Sequence, residues 1–183
     1  MIDARVIYET EAEMNRLHAA CRAAAAARQR SNTVSRQEHR RAAEEFRNYQ
    51  SPLWGLWSAQ AQRDIVDSSG PWRDAAILYL QTSPRFFRSG YLRDVLCTRI
   101  KQAELQHKER KNIQEALLQS IVRRPSTGSF RYDCRLAIKV ADSDFLQELR
   151  SLCGNRNPWI SGRASRMEQA ILRHAKPPSE IDI

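Results

Sequence analysis

The sequence predicts an all-α protein, either a compact helical bundle or a short α-solenoid of consecutive antiparallel helix pairs. In a capping box, Ser or Thr and a Glu three residues later satisfy free amides at a helix start. This pattern occurs at Thr10, Ser35 and Ser165. A small residue directly before proline is another typical helix start, and it occurs at Ser51-Pro52, Gly70-Pro71 and Ser83-Pro84. Such helix signals outnumber the turn signals of β-hairpins, so helix should dominate.

Residues 1–50 predict an N-terminal helical hairpin. The box at Thr10 should begin an alanine-rich helix that continues to about Arg30, and the box at Ser35 a second helix to about Asn48. Few apolar residues are available to anchor two long helices, so a second chain could complete their packing. The expected anchors are Met14, Leu17, Cys21 and Phe46.

Residues 51–176 predict a helical core domain. Because 183 residues are few for two independent domains, we expect this core domain and the hairpin to form one structural unit. A helix from Pro52 presents an apolar face that extends to Ile65. Residues 75–80 are apolar on every side, as in a fully buried helix or a central strand. The next helix should start at Ser83-Pro84, and its apolar residues follow at helical spacing: Tyr91, Leu92, Val95, Leu96 and Ile100. Because Phe87, Tyr91 and Val95 are spaced by four, we expect the rings of Phe87 and Tyr91 to enter the core.

The later helices are indicated by spacing and by helix breakers. Apolar residues recur every fourth position from Ile113 to Ile121, and Arg124-Pro125 should end that helix. Asp142 and Gly154 suit the two ends of a short helix. The last helix should start at the box at Ser165. Pro177-Pro178 should end the ordered part of the chain, and we expect residues 177–183 to form a disordered tail.

The segment from Phe130 to Val140 supports two incompatible predictions. Its apolar residues alternate with polar or small ones, as in a half-buried strand, which would give an α+β fold with a strand at 130–140. The same segment also places Cys134 and Ala137 on one helical face. Residues 134–149 resemble one HEAT-type repeat, whose second helix ends in a small residue and an aspartate, and this resemblance implies helix. Because the surroundings are helical, we favour helix.

The chain is strongly basic, but its charge is spread evenly along the sequence. The formal net charge is +9, and 25 of the 30 basic residues are arginine. Four successive stretches, 1–50, 51–107, 108–154 and 155–183, carry excesses of 2, 2, 3 and 2 positive charges. A composition rich in alanine and arginine is also typical of a GC-rich bacterial genome. Codon bias therefore explains the charge without a nucleic-acid partner.

The sequence predicts no cofactor, no metal site and no membrane span. The longest apolar run has the size of a core segment, and the N-terminus lacks the apolar stretch of a signal peptide, so we expect a cytoplasmic protein. The four cysteines lie too far apart for a zinc motif or a disulfide framework: Cys21, Cys97, Cys134 and Cys153. No catalytic motif accompanies the histidines, and we therefore expect a protein that is not an enzyme.

Two groups of residues are candidate contact sites. The first combines guanidinium and hydroxyl groups that could hold the phosphates of a nucleic acid or another anion. Its members are Arg85, Arg88, Arg123, Arg124, Ser126, Thr127, Ser129 and Arg131. An ordinary interhelical turn and solvated arginines account for the same residues. The second group is Trp54 and Trp57, which would either fill the core or form a hydrophobic surface for a partner.

These observations together predict a function in binding and not in catalysis. We expect a helical interaction, scaffold or adaptor protein that binds a protein partner or a second copy of itself. The alternative is an arginine-rich nucleic-acid-binding protein.

Overall fold

A computed structural model describes residues 2–28, 33–123 and 130–174, and most of these residues are helical. The helices are α1 (Ala4–Arg28), α2 (Thr33–Asn48), a 3-10 helix (Pro52–Trp57), α3 (Ala59–Asp67), α4 (Pro71–Thr82), α5 (Ser89–Gln102), α6 (His107–Arg123), α7 (Phe130–Val140), α8 (Ser143–Cys153) and α9 (Pro158–His174). No strand occurs in the described ranges. The predicted all-α fold is confirmed.

The segment from Phe130 to Val140, for which the sequence supports both helix and strand, is helix α7. The strand alternative is wrong. Its buried residues follow helical spacing: Phe130, Asp133, Cys134, Leu136, Ala137 and Val140. The alternating pattern misleads because Tyr132 and Ile138 are only half-buried, whereas Asp133 is buried despite its charge. Helices α5, α6 and α9 all pack on α7, and together they cover the buried face.

The first helix begins six residues before its predicted start. The Asp3 carboxylate accepts a hydrogen bond of 2.9 Å from the backbone N–H of Val6 and so caps α1. Thr10 lies in the middle of the helix, where the backbone amides already have partners. Its side chain is buried and its hydroxyl accepts from the hydroxyl of Ser51 at 3.5 Å. The prediction of a helix start at Thr10 is therefore wrong.

The other two capping boxes also lie inside helices. Ser35 is the third residue of α2, and Ser165 is the eighth residue of α9. The start of α9 is capped by Asn157, whose side-chain oxygen accepts from the backbone N–H of Trp159 at 3.0 Å. The same residue types at this spacing therefore also occur inside helices, and the pattern alone does not locate a helix start.

Two of the predicted starts at proline are confirmed and one is wrong. Ser51 caps the 3-10 helix by accepting from the backbone N–H of Leu53, and α4 starts at Pro71. Ser83, in contrast, ends α4 in a left-handed conformation with φ of 50°. The next helix starts only at Ser89, after Arg88, which is also left-handed with φ of 69°.

The predicted helix from Pro52 to Ile65 is divided in two. Ser58 has an extended backbone with ψ of 146°, and it ends the 3-10 helix. Its hydroxyl accepts a hydrogen bond of 3.1 Å from the backbone N–H of Ala61 and so caps α3. Residues 75–80, the apolar run that fits either a buried helix or a central strand, lie in helix α4, which is largely buried.

The late start of α5 changes which of its residues enter the core. Phe87 and Tyr91 were expected in the core, but they are 43% and 68% exposed. Leu92, Leu96 and Ile100, which the predicted spacing also includes, form the buried apolar face, together with the fully buried Arg93. The prediction for Phe87 and Tyr91 is wrong because Phe87 lies in the turn before α5, and the buried face of α5 passes through Leu92 and Leu96 and not through Tyr91.

Helices α1 and α2 pack against each other in antiparallel directions. Thr10 of α1 contacts Ser51, just after α2, whereas Arg16, further along α1, donates to Glu45, earlier in the chain than Ser51, at 3.2 Å. Contacts therefore move backwards along α2 as α1 advances. Among the expected anchors, Met14 and Leu17 are buried, and Cys21 and Phe46 are half-buried. The division into residues 1–50 and 51–176 stays a prediction, and the predicted tail at 177–183 lies outside the described residues.

Candidate interaction surfaces

The two predicted tryptophans do not share one exposed surface. Trp54 is partly buried and packs edge-on against Phe86, with ring centroids 6.4 Å apart. Trp57, at the end of the same 3-10 helix, is 37% exposed. The indole of Trp72 fills the space beside Gly55, where an added Cβ would lie 2.8 Å from the ring. The segment is therefore mainly held against the body of the protein.

The structure places four of the predicted anion-contact residues. The guanidinium of Arg85 donates to the backbone carbonyl of Arg123, which brings these two residues together at the end of α6. Arg88 lies over the Phe87 ring, and Arg131 lies over the Tyr132 ring. The other four predicted residues lie outside the described ranges: Arg124, Ser126, Thr127 and Ser129.

Aromatic side chains from three elements meet at an exposed site, which we call the aromatic surface. It consists of His18 of α1, Phe46 of α2, Phe87 and Arg88 of the turn before α5, and Tyr91 of α5. The centroids of the His18, Phe46 and Phe87 rings lie 5.4 to 5.5 Å from one another. The Cζ atom of Arg88 lies 5.3 Å from the Phe87 centroid, a cation–π contact. Of the three rings in contact, Phe87 is exposed and His18 and Phe46 are half-buried. Apolar side chains that are grouped and open to solvent are typical of interaction sites.

Two hydrogen bonds hold the turn that carries this surface against α1. The backbone N–H of Arg85 donates to the Glu11 carboxylate at 2.7 Å, and Asn15 donates to the Arg85 carbonyl at 2.8 Å. The left-handed conformation of Arg88 then reverses the chain into α5. Phe87 therefore points towards α1 and α2, and not into the core.

Helices α7 and α9 carry a second exposed site, which we call the basic surface. Its cations are Arg131, Arg135 and Lys139 of α7 and Arg163, Arg166 and Arg173 of α9, and the exposed Trp159 lies on the same face of α9. The three cations of α7 recur every fourth residue and are all exposed. Arg163 is half-buried, with its Cζ atom 4.4 Å from the centroid of the Phe130 ring, so this face of α9 borders α7.

Each carboxylate on these two helices already has a cationic partner. Asp133 of α7 is buried and bonds Arg93 of α5 at 2.9 Å. Glu168 of α9 bonds Arg150 of α8 at 2.8 Å. The six cations of the basic surface therefore have no unpaired carboxylate on α7 or α9 to neutralise them.

Asp133 is the centre of a buried polar network. One carboxylate oxygen accepts from Nε of Arg93, and the other accepts from the hydroxyl of Ser120 at 3.2 Å. The Cys97 thiol lies 3.6 Å from the first oxygen. Burial alone would lower the pKa of Arg93, but the adjacent Asp133 carboxylate outweighs it and the pKa rises above its ordinary value. Charge alternation in the sequence does not reveal this network, because it depends on which face of α5 and α7 is buried.

A second buried arginine joins the ends of three elements. Arg73 of α4 donates to the carbonyls of Ile65 and Val66 at the end of α3, at 2.8 and 3.0 Å. It also donates to the carbonyl of Glu104 and pairs with Glu109 of α6 at 3.5 Å. These contacts satisfy backbone groups that would otherwise be buried without partners, so the role of Arg73 is structural.

The buried thiols are poor nucleophiles. Burial raises the pKa of Cys134 to about 11, although the charges of Arg166 and Arg163 oppose this rise. Burial, followed by the Asp133 carboxylate, also raises the pKa of Cys97 well above its ordinary value. Both groups are thiols at neutral pH, whereas the thiolate is the reactive form. Within the described ranges, no three His, Cys, Asp or Glu residues are placed to hold a metal ion.

Two shallow grooves are open to solvent. One, of about 300 Å³, is mainly apolar and is lined by Ile2, Val6, Pro52, Pro71, Trp72 and Ala75. The other, of about 320 Å³, lies between α3 and α5 and is lined by more polar residues, among them Arg63 and Arg99. None of the helices in the described part of the chain has the length and apolar character needed to cross a membrane.

Comparisons with protein-family models, with curated proteins and with solved structures found no match to this chain. The aromatic surface and the basic surface are therefore the features of the chain that bear on its function.

Proposed function

We propose that this chain is a non-enzymatic helical interaction protein that associates with a second copy of itself through the aromatic surface. The observation that carries the proposal is the exposed ring of Phe87, which contacts the rings of His18 and Phe46, with the exposed Tyr91 four residues further along the chain. Aromatic residues and arginine are the side chains most enriched at the centres of protein interfaces. A cytoplasmic location belongs to the same proposal.

The composition of the surface favours a second copy as its occupant. In a two-fold interface the same patch contacts itself, so it must be self-complementary. Arg88 and Tyr91 provide a guanidinium and an exposed ring three residues apart, and each copy can therefore place its cation on a ring of the other.

The packing of α2 also supports this occupant. Among the described elements, α2 makes its extensive contacts with α1, so most of its surface faces no other helix. Two such hairpins, one from each copy, would pack as a four-helix arrangement around the aromatic surface. This arrangement would bury Phe46 and Phe87, which the single chain leaves partly exposed.

Sedimentation equilibrium of the full chain tests the proposal. We expect a reversible dimer with twice the chain mass of 21.2 kDa. Replacing Phe87 and Tyr91 together by alanine should weaken association by at least about tenfold, because truncating a central aromatic residue commonly costs more than about 1 to 2 kcal/mol. Trp57→Ala is the matched control, because it removes an exposed ring outside the aromatic surface.

Two results would contradict the proposal. One is a wild-type chain that stays monomeric at concentrations up to about 1 mM, which would favour a different protein as the partner. The other is a dimer that Trp57→Ala weakens more than the double substitution does, which would move the interface to the tryptophan segment.

A further inference from the structure

We propose that the basic surface of α7 and α9 binds a single strand of nucleic acid, with its cations on the phosphates and Trp159 stacked on a base. This proposal concerns different residues from the aromatic surface and does not depend on self-association. It is based on the packing of α7 against α9, because these two neighbouring helices carry six cations between them.

The charge of the surface is the first support. Six cations occupy two neighbouring helices, and the carboxylates of the same helices are held in pairs with Arg93 and Arg150. A polyanion that approaches α7 and α9 therefore meets positive charge that no carboxylate of these helices offsets. Phosphate neutralisation by such a surface releases counterions and contributes strongly to affinity.

The geometry of the arginines is the second support. Arg131 and Arg135 both lie over the ring of Tyr132, with Cζ atoms 4.8 and 5.6 Å from its centroid. These cation–π contacts restrain the guanidinium groups and reduce the conformational entropy that they lose on binding. Guanidinium N–H groups that point away from the ring can donate to phosphate oxygens as a fork.

The exposed indole of Trp159 distinguishes a single strand from other polyanions. Trp159 is 70% exposed in the first turn of α9, four residues before Arg163 and on the same helical face. An unpaired base can stack on such a ring, whereas the bases of a duplex are covered by their neighbours. An acidic protein or peptide would use the cations but would not require the indole.

Fluorescence anisotropy with a labelled single-stranded oligonucleotide, measured over a series of salt concentrations, tests the proposal on the full chain. Replacing Arg131 and Arg135 together by glutamine should weaken binding and lower the slope of log K against log salt by about 1.4, or about 0.7 for each lost phosphate contact. Both side chains are exposed, so helix α7 should remain folded. The matched control is Arg36→Gln with Arg40→Gln on α2, which removes the same charge from another exposed site. This control should leave the slope nearly unchanged.

The role of the indole is tested separately with Trp159→Ala. We expect single-strand affinity to fall by about tenfold with little change in salt slope, because a stacking contact and not a phosphate contact is lost. Trp57→Ala, the control, should have no effect on affinity.

Four results would overturn the proposal. They are an equal loss of slope in the α2 control, unchanged affinity with Trp159→Ala, tighter binding to a duplex of the same length, and equally tight binding to polyglutamate. The first result would show that oligonucleotide binding depends only on the net charge of the chain. The last would identify an acidic protein surface as the better partner.

Discussion

Asp133 shows how one residue links the core of this protein to its surface. Its negative charge forms a buried ion pair with Arg93, and Ser120 and Cys97 make further hydrogen-bond contacts with its carboxylate. The exposed side of α7 is therefore left with cations alone. The sequence places Asp133 among alternating polar residues and gives no sign that it is buried. Its partner, Arg93, lies 40 positions away, and only the packing of α5 on α7 brings the two together.

Asp133→Ala should strongly destabilise the protein. The substitution leaves Arg93 buried without its carboxylate partner, and breaking such a buried pair typically costs about 3 to 5 kcal/mol. Urea denaturation would measure the change in unfolding free energy. Asp144→Ala is the control, because Asp144 is exposed and pairs with Lys111 at the surface, where ion pairs contribute less than about 1 kcal/mol.

A further variant, with both charged residues replaced, separates the effect of losing the charge pair from the effect of losing packed volume. Arg93→Met combined with Asp133→Leu removes both charges and keeps apolar volume, so it should recover most of the stability lost in Asp133→Ala. If Asp133→Ala unfolds at the same urea concentration as wild type, the buried pair is not important for stability.

At the scale of elements, the sequence predicts that a segment is a helix and not a strand more readily than it predicts the residue at which the helix starts. Residues 75–80 and 130–140 are helices because neighbouring helices surround them, although their local patterns also fit strands. The starts depend on side chains that reach free amides, and the same residue types also occur inside helices. The sequence around Ser58 predicts one continuous helix, although Ser58 caps α3, whereas the capping box at Ser165 predicts a helix start that lies inside α9.

Two serine substitutions test this difference. Ser58→Ala should lower the unfolding free energy by about 1 kcal/mol, because it removes the hydroxyl that accepts from the backbone N–H of Ala61. Ser165→Ala should be neutral or slightly stabilising, because alanine has the higher helix propensity at an interior position. Thermal and urea unfolding would measure both. A larger loss with Ser165→Ala than with Ser58→Ala would contradict the assigned helix starts.

At the scale of the whole molecule, the fold class could be predicted from the sequence, but the two surfaces could not. The even spread of charge along the chain predicts solvated arginines, yet α7 and α9 are neighbours in space and together carry six cations. The aromatic surface was missed for a related reason. It combines residues 18, 46 and 87, and the four-residue spacing of Phe87 and Tyr91 was interpreted as a core face. Arg85, Arg88, Arg123 and Arg131 were identified as candidates, but their partners could not be.

The two proposed surfaces share no residue, so they should act independently. Sedimentation velocity with a labelled single-stranded oligonucleotide tests this central claim most directly, using wild-type chain and the variant with Phe87→Ala and Tyr91→Ala. We predict that each wild-type complex contains two protein chains and that each variant complex contains one, with the same salt slope for oligonucleotide binding. A variant that no longer binds the oligonucleotide, or a wild-type complex that contains a single chain above the dimerisation concentration, would contradict the account.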